Sequence, residues 1–213
     1  MLICVDFQPA YIDAFAHLMP ALRTRLASAE QSHEEVHFLY NDILWMDGEE
    51  LGDSRERILA WADKENLQLT NARMLHKNFG WVSHAVRDGD ERKIAILTLR
   101  HLLQSEISHS AEISEKDMEQ IILGVSGELA HFQRLSPLAW QEIKEGAIAL
   151  PMLFEGGIHA WLDALRSLKS GEEVEIIGGF YHRCFDEICM MLEAGNIPHH
   201  LKRDLVYYLP EES

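Results

Sequence analysis

The sequence predicts an α/β protein. Three layers, α/β/α, surround a mainly parallel sheet, and a helical insertion lies in the middle of the chain. Short apolar runs of strand length alternate with longer segments of helical periodicity from end to end. The clearest runs are apolar throughout, the pattern of strands buried on both faces. With 213 residues, the chain can bury ~70% of its unfolded surface in a core. One domain over 1–213 is expected, with 105–155 set apart as an insertion or lid.

Residues 2–5, Leu-Ile-Cys-Val, make a first strand. Residues 9–30 follow as a helix, with Tyr11, Phe15, Leu18, Leu22 and Leu26 at helical spacing and Pro20 as a break or restart. Residues 36–40 are a second strand. Asp53-Ser54 followed by Glu56 reads as a helix start, carrying an apolar face of Ile58, Leu59 and Trp61. Residues 72–76 form a third, weaker strand.

Residues 91–107 are a helix lined by Ile94, Leu97, Leu99, Leu102 and Leu103. A second runs over 114–123, opened by Ser114 and Asp117 and closed by Gly124. A short helix is expected at 138–143 and a strand or loop at 147–154. A helix at 159–168 precedes the strand 174–177. The helix 184–193 stops at Ala194-Gly195. Residues 197–201 return as a strand, and 205–209 are an extended end.

Composition narrows function. Nineteen basic against thirty-five acidic residues give a net charge of −16. That field repels phosphate backbones and anionic bilayers, so neither nucleic acid nor membrane is the expected partner. Three cysteines without C-x-x-C spacing argue for a reducing compartment and against a structural zinc site. The opening residues lack a basic, then long apolar leader, and a cytoplasmic location is the expectation.

In parallel α/β sheets ligands bind beyond the C-terminal strand ends. The residues there are Asp6-Phe7-Gln8, Asn41-Asp42, Lys77 to Gly80, and Gly178 to Cys184. Cys184 is expected in the first turn of a helix beside Arg183, where the positive helix end favours thiolate. Its other reading is a small buried hydrophobe. Cys4, within a strand, and Cys189, on an apolar helix face, read as core. Asp6 is a base, an orienting carboxylate or a helix cap; Lys77 is an oxyanion donor or a surface lysine. Together, Asp6, Lys77 and Cys184 describe an activated nucleophile flanked by a carboxylate and a cation. Phe7, Gln8, Tyr11, Phe79, Tyr181 and His182 are expected to flank it and contact a small-molecule substrate.

These residues resemble the isochorismatase-like cysteine hydrolases. Asp6-Phe7-Gln8-Pro9-Ala10-Tyr11 follows that family's D-x-Q-x-x-aromatic opening. Met74 to Phe79 is similar to the strand delivering its lysine, and Gly178 to Cys184 to its G-x-x-T-x-x-C segment. The resemblance implies an Asp–Lys–Cys triad of Asp6, Lys77 and Cys184, no cofactor, and a homo-oligomer. The sequence departs at Tyr181 and His182, where the family carries Thr and commonly Asp. It also lacks the D-x-H metal motif of nicotinamidases, since no histidine lies between His37 and His76; no metal is expected. The opening D-F-Q-P and the late Gly-rich Cys loop are also similar to an uncharacterised group of bacterial and phage proteins, which implies no activity.

Two other readings stand beside the hydrolase. Asp6, Asp42, Asp47 and Glu49 are hard oxygen ligands suited to a metal-dependent phosphohydrolase, although 47–50 reads more simply as a solvated acidic turn. The third is a non-catalytic binding or scaffold protein of the same fold. A buried, unreactive Cys184 distinguishes it from the enzyme.

Overall fold

The structure is a computed structural model. It describes residues 1–42, 44–46, 49–77, 85–105, 114–129, 134–149, 154, 157–166 and 173–208. The chain forms two compact units. One comprises Met1–Asn78, Lys169–Tyr181 and His199–Ser213, the other Phe79–Leu168 and His182–Pro198.

The first unit holds β1 (Leu2–Val5), α1 (Ile12–Phe15), α2 (Met19–Gln31), β2 (Val36–Tyr40), β3 (Leu44–Met46), β4 (Glu49–Leu51), α3 (Arg55–Lys64), β5 (Ala72–His76), β6 (Val174–Gly178) and β7 (His199–Leu201). Five strands make one all-parallel sheet in the order β5-β2-β1-β6-β7. From β1 the chain builds outward to β2 and β5, then restarts on the other side with β6 and β7. The order therefore reverses between β1 and β6, and in parallel α/β sheets such a switch point is where ligand crevices form, beyond the carboxyl ends of the strands.

One sheet face, with Leu2, Cys4, Val36, Phe38, Tyr40 and Ile177, packs against Met19, Leu22, Leu26 and Ala29 of α2 and Ile58 and Ala62 of α3. On the opposite face Ile3, Val5, Leu39 and Ile176 are also buried. Burial on both faces explains why these strands read as continuous apolar runs. His37 shares that second face; burial, opposed by the Glu35 carboxylate 2.9 Å away, holds its imidazole below the usual value.

The helix expected over 9–30 is divided. Pro9–Tyr11 and Ala16–Leu18 are 3₁₀ turns flanking α1, and α2 starts afresh at Met19 with Pro20 in its first turn. Proline has no N–H to give to the preceding turn, so a new helix begins there. Ser54 caps α3 by accepting from the Arg57 amide at 3.3 Å. Glu49 and Glu50 belong to a hairpin in which β3 pairs antiparallel with β4, Met46 opposite Glu49. The intervening Asp47-Gly48 is a dipeptide that favours such hairpins. Its own geometry lies outside the described residues. At the amino ends of the strands, Arg25 bridges Glu34 (2.7 Å) and Glu175 (2.5 Å), tying α2 to β6. Burial works to raise the Glu175 carboxyl, but Arg25 and His200 outweigh it and hold it below the usual range.

The second unit holds α4 (Gly89–Gln104), α5 (Glu115–Gly127), α6 (Pro137–Ala149), α7 (Ile158–Arg166) and α8 (Cys184–Ala194). The helical insertion expected at 105–155 contains α5 and α6, which pack on each other and on α4. Ser114 caps α5. That helix passes Gly124, the expected stop, and ends at Gly127. The helix at 138–143 is longer than expected and absorbs 147–149; residues 150–153 lie outside the described residues. Arg92 and Arg100 of α4 both reach Glu193 of α8, at 2.5 and 3.0 Å. Among the described residues no helix is long and apolar enough to cross a membrane.

Candidate functional site

The carboxyl ends of β1, β2 and β5 converge on a buried polar cluster. Asp6 follows β1 directly. Its amide continues the ladder by donating to Leu39 O at 2.9 Å, and then the chain turns with φ at +53°. Aspartate tolerates this left-handed conformation better than most residues. The Asp6 carbonyl accepts twice, from the Gln8 amide (2.9 Å) and from the Tyr207 hydroxyl (2.7 Å). The carboxylate is fully buried.

Lys77 follows β5 in the same way, its amide donating to Tyr40 O at 2.9 Å. Its side chain is also fully buried. Nζ lies 3.2 Å from Asp6 Oδ2 and donates to Asn41 Oδ1 at 3.0 Å. Asn41, after β2, is clamped through its backbone. The Gln8 side-chain amide donates to Asn41 O and accepts from Asn41 N, each at 3.0 Å. One glutamine thus pairs with Asn41 as a neighbouring strand would.

Asp53 closes the cluster. Its amide donates to Asn41 O at 3.2 Å, and its Oδ2 accepts from Ala10 N at 2.7 Å. Arg57 stands 2.9 Å from Oδ1. Burial pushes the Asp53 carboxyl above its usual value, against the Ala10 amide, Arg57 and Gln8. Gly52 permits this close approach; a Cβ there would fall 1.9 Å from Asp42 O. Gly178, at the end of β6, has the same role against β1, since a Cβ would meet Val5 O at 2.3 Å. The sequence suggested that Gly178-Gly179 brings backbone close to a ligand. At Gly178 the close neighbour is the protein's own first strand and the Phe7 ring.

Among the described residues, four buried polar atoms of this cluster make no hydrogen bond: Asp6 Oδ1, Asp6 Oδ2, Asn41 Nδ2 and Asp53 Oδ1, the last of which has Arg57 as an ion-pair partner. Lys77 serves Oδ2 as an ion-pair partner only. Unsatisfied buried groups cost ~1–3 kcal/mol each. Such groups persist where water or a ligand completes them.

The expected site residues fall into three groups. Asp6 and Lys77 come together. Phe7 is fully buried, edge to face on Phe15 at 5.1 Å and tilted against Tyr207 at 5.6 Å, so its ring is committed to the core. Gln8 is fully buried, with both ends of its amide engaged. Tyr11 is half-buried, edge-on to Phe180 at 5.7 Å. Tyr181 is also half-buried, its amide bonded to Tyr207 O at 2.9 Å and its ring 5.3 Å from Tyr208. Phe79 lies outside the described residues.

Cys184 and His182 belong to the second unit. Cys184 is the first residue of α8, as expected, but its exposure is only 9%. Asp186 and Glu187 share its helical turn and oppose a thiolate, while the helix end and Arg183 favour one. His182, at φ +64°, pairs through Nδ1 with Asp186 Oδ2 at 3.1 Å. Burial pushes the thiols of Cys4 and Cys189 far up, which makes both inert.

For the metal reading, the Lys77 ammonium already stands at Asp6 Oδ2, where a divalent ion would meet like charge. Asp42 is exposed, and Asp47 lies outside the described residues. Among the described residues no group of three or more His, Cys, Asp or Glu side chains is placed to hold a metal ion.

Sequence reasoning placed Asn41 at a strand end without giving it a task, and took Asp53 for part of a helix start. Tyr207 carried no local signal; it reaches Asp6 across 201 positions of sequence. The fold and cluster define an α/β protein with an all-parallel sheet and a buried carboxylate–ammonium pair near its switch point. No protein-family model, curated protein or solved structure matches the chain.

Proposed function

We propose that this chain is an isochorismatase-like cysteine hydrolase acting on a small-molecule amide or related electrophile. The observation that carries the reading is the fully buried Asp6–Lys77 pair, 3.2 Å apart at the carboxyl ends of β1 and β5. An ion pair out of water is costly unless further bonds complete it. A carboxylate whose oxygens accept no hydrogen bond is more readily explained as a proton acceptor awaiting a reactant than as a structural strut.

In this reading Asp6 takes the Cys184 thiol proton. The thiolate adds to the substrate carbonyl carbon, and the C=O electron pair moves onto oxygen beside Lys77. Collapse of the adduct expels the amine, which leaves with the proton held by Asp6. Water then cleaves the thioester, releasing the acid and restoring the thiol. No cofactor enters these steps.

A second reading, a non-catalytic binding protein of the same fold, is favoured by one observation, the burial of Cys184. Iodoacetamide alkylation across pH, read by peptide mass spectrometry, separates the two, with Cys4 and Cys189 as internal controls. The hydrolase reading expects fast labelling of Cys184 alone, rising well below the free-thiol value of ~8.5. Labelling no faster than at Cys4 and Cys189 establishes the binding protein instead.

A further inference from the structure

We propose that Asp6 Oδ1 and Asn41 Nδ2 form an acceptor–donor pair that recognises a neutral amide edge, with N–H and C=O side by side as in a primary carboxamide or a lactam. The proposal deepens the hydrolase reading by naming the form of amide, and it rests on that reading for calling the ligand a substrate.

Both atoms are buried, and neither makes a hydrogen bond among the described residues. They are complementary. An ionised carboxylate only accepts, and the NH₂ end of an asparagine only donates. Which end of Asn41 is open follows from its other end. Oδ1 takes an N–H from Lys77 at 3.0 Å, and an ammonium has no acceptor to offer. That orientation holds whatever else the ammonium contacts.

The two side chains are neighbours. Asp6 Oδ2 lies 3.2 Å from the same Lys77 Nζ, and the two residues follow the adjacent parallel strands β1 and β2. All three belong to the first unit. Asp6 and Asn41 are held through their main chains and not through the open atoms. The Asp6 amide and carbonyl bond Leu39, Gln8 and Tyr207, while Gln8 and the Asp53 amide clamp the main chain of Asn41. A donor and an acceptor fixed beforehand need little further ordering when a ligand arrives.

The ligand must donate to Asp6 and accept from Asn41. An ionic group would bring a further charge out of water beside Asp6 and Lys77, so a neutral group is favoured. An amide supplies both functions. A trans secondary amide, however, points its N–H and C=O to opposite sides. Primary carboxamides and lactams carry both on one edge.

The test incubates the full ¹⁵N-labelled chain separately with acetamide, γ-butyrolactam, N-methylacetamide, N,N-dimethylacetamide and acetate. Buried atoms are reached through local opening, so spectra are taken at equilibrium. The readout is the ¹H–¹⁵N signal pair of the Asn41 side-chain NH₂, assigned through its own backbone, with the exposed Gln141 side chain as control. Acetamide and γ-butyrolactam should shift the Asn41 pair and leave Gln141 in place. The other three probes should bind about tenfold or more weakly, the effect of leaving one buried partner unmet. An Asn41→Leu variant, checked by circular dichroism and followed at the Asp6 amide, should weaken acetamide by a similar factor; if it does not fold, the wild-type probe series decides alone. Equal binding of N-methylacetamide or N,N-dimethylacetamide overturns the proposal, as does tighter binding of acetate. No Asn41 response to any probe also overturns it, leaving the open atoms to buried water. Cys184 alkylation tests the hydrolase reading separately. Fast labelling of Cys184 without recognition of acetamide refutes the proposal and spares that reading. Recognition of acetamide with Cys184 labelling no faster than Cys4 and Cys189 upholds the subsite and makes it that of a binding protein.

Discussion

Replacing Tyr207 by phenylalanine removes one oxygen atom from the core. Tyr207 is fully buried, and its ring lies 4.7 Å from Phe180, 5.3 Å from Phe15 and 5.6 Å from Phe7. All three ring contacts survive in Tyr207→Phe. The hydroxyl bond to Asp6 O, at 2.7 Å, is lost. The carbonyl is not orphaned, because the Gln8 amide still donates to it at 2.9 Å. The expected cost is therefore that of one neutral hydrogen bond, ~1 kcal/mol, without the further penalty of a bare buried acceptor. For a chain of this size that corresponds to a fall of ~2–4 °C in melting temperature. Tyr207→Ala also removes the ring and should cost ~3–5 kcal/mol.

Urea unfolding of the full chain measures both losses. Hydrogen exchange at the Gln8 amide reports locally, since that N–H shares its acceptor with the missing hydroxyl. The phenylalanine variant should exchange faster there and nearly normally in α3. A loss within the ~0.5 kcal/mol of an ordinary surface change would refute the idea that the tyrosine pins the Asp6 turn. So would a loss as large as that of the alanine variant.

Two further outcomes follow from the same geometry. Breaking the buried pair from either side should cost ~3–5 kcal/mol, with Lys77→Met worse than Asp6→Asn. Removing the lysine strands a carboxylate whose oxygens accept no hydrogen bond, whereas removing the Asp6 charge leaves the ammonium bonded to Asn41; urea midpoints of the two single variants and the double variant test the ordering, and equal or reversed losses contradict it. His37 sets a pH dependence: its folded pKa is depressed below the unfolded 6.5, so the unfolded chain takes the proton first, and this contribution to stability is present above that value and lost as pH falls through the folded one. Calorimetry from about pH 7.5 to about pH 5.5 should show wild type losing stability more steeply than His37→Leu, and parallel curves would rule His37 out as a source.

The alternation of apolar runs and helical segments marked the five parallel strands and most helices, because strands buried on both faces and helix starts such as Ser54 and Ser114 leave local marks. Boundaries failed where a local signal was ambiguous. Gly124 reads as a helix stop, yet helical contacts within the second unit carry α5 on to Gly127. Residues 9–30 carry one helical period, but the missing proline N–H at Pro20 starts a separate helix.

Asp6 and Lys77 were legible because each stands directly after a strand, and parallel strands bring their carboxyl ends to one edge whatever the sheet order. Their partners were not. That Asn41 holds Lys77 depends on β2 lying beside β5, and Gln8 finds Asn41 because β1 lies beside β2. Neighbour relations of this kind are absent from the periodicity of any single segment. The Tyr207 bond to Asp6 spans nearly the whole chain, and the burial of Cys184 is set by packing around α8. Residue types, their periodicity and their strand-end positions were thus settled by the chain's own order of amino acids. Which polar atoms meet, and which are left open in the interior, was settled by the folded arrangement, because a hydrogen bond depends on distances that only sheet order and packing create.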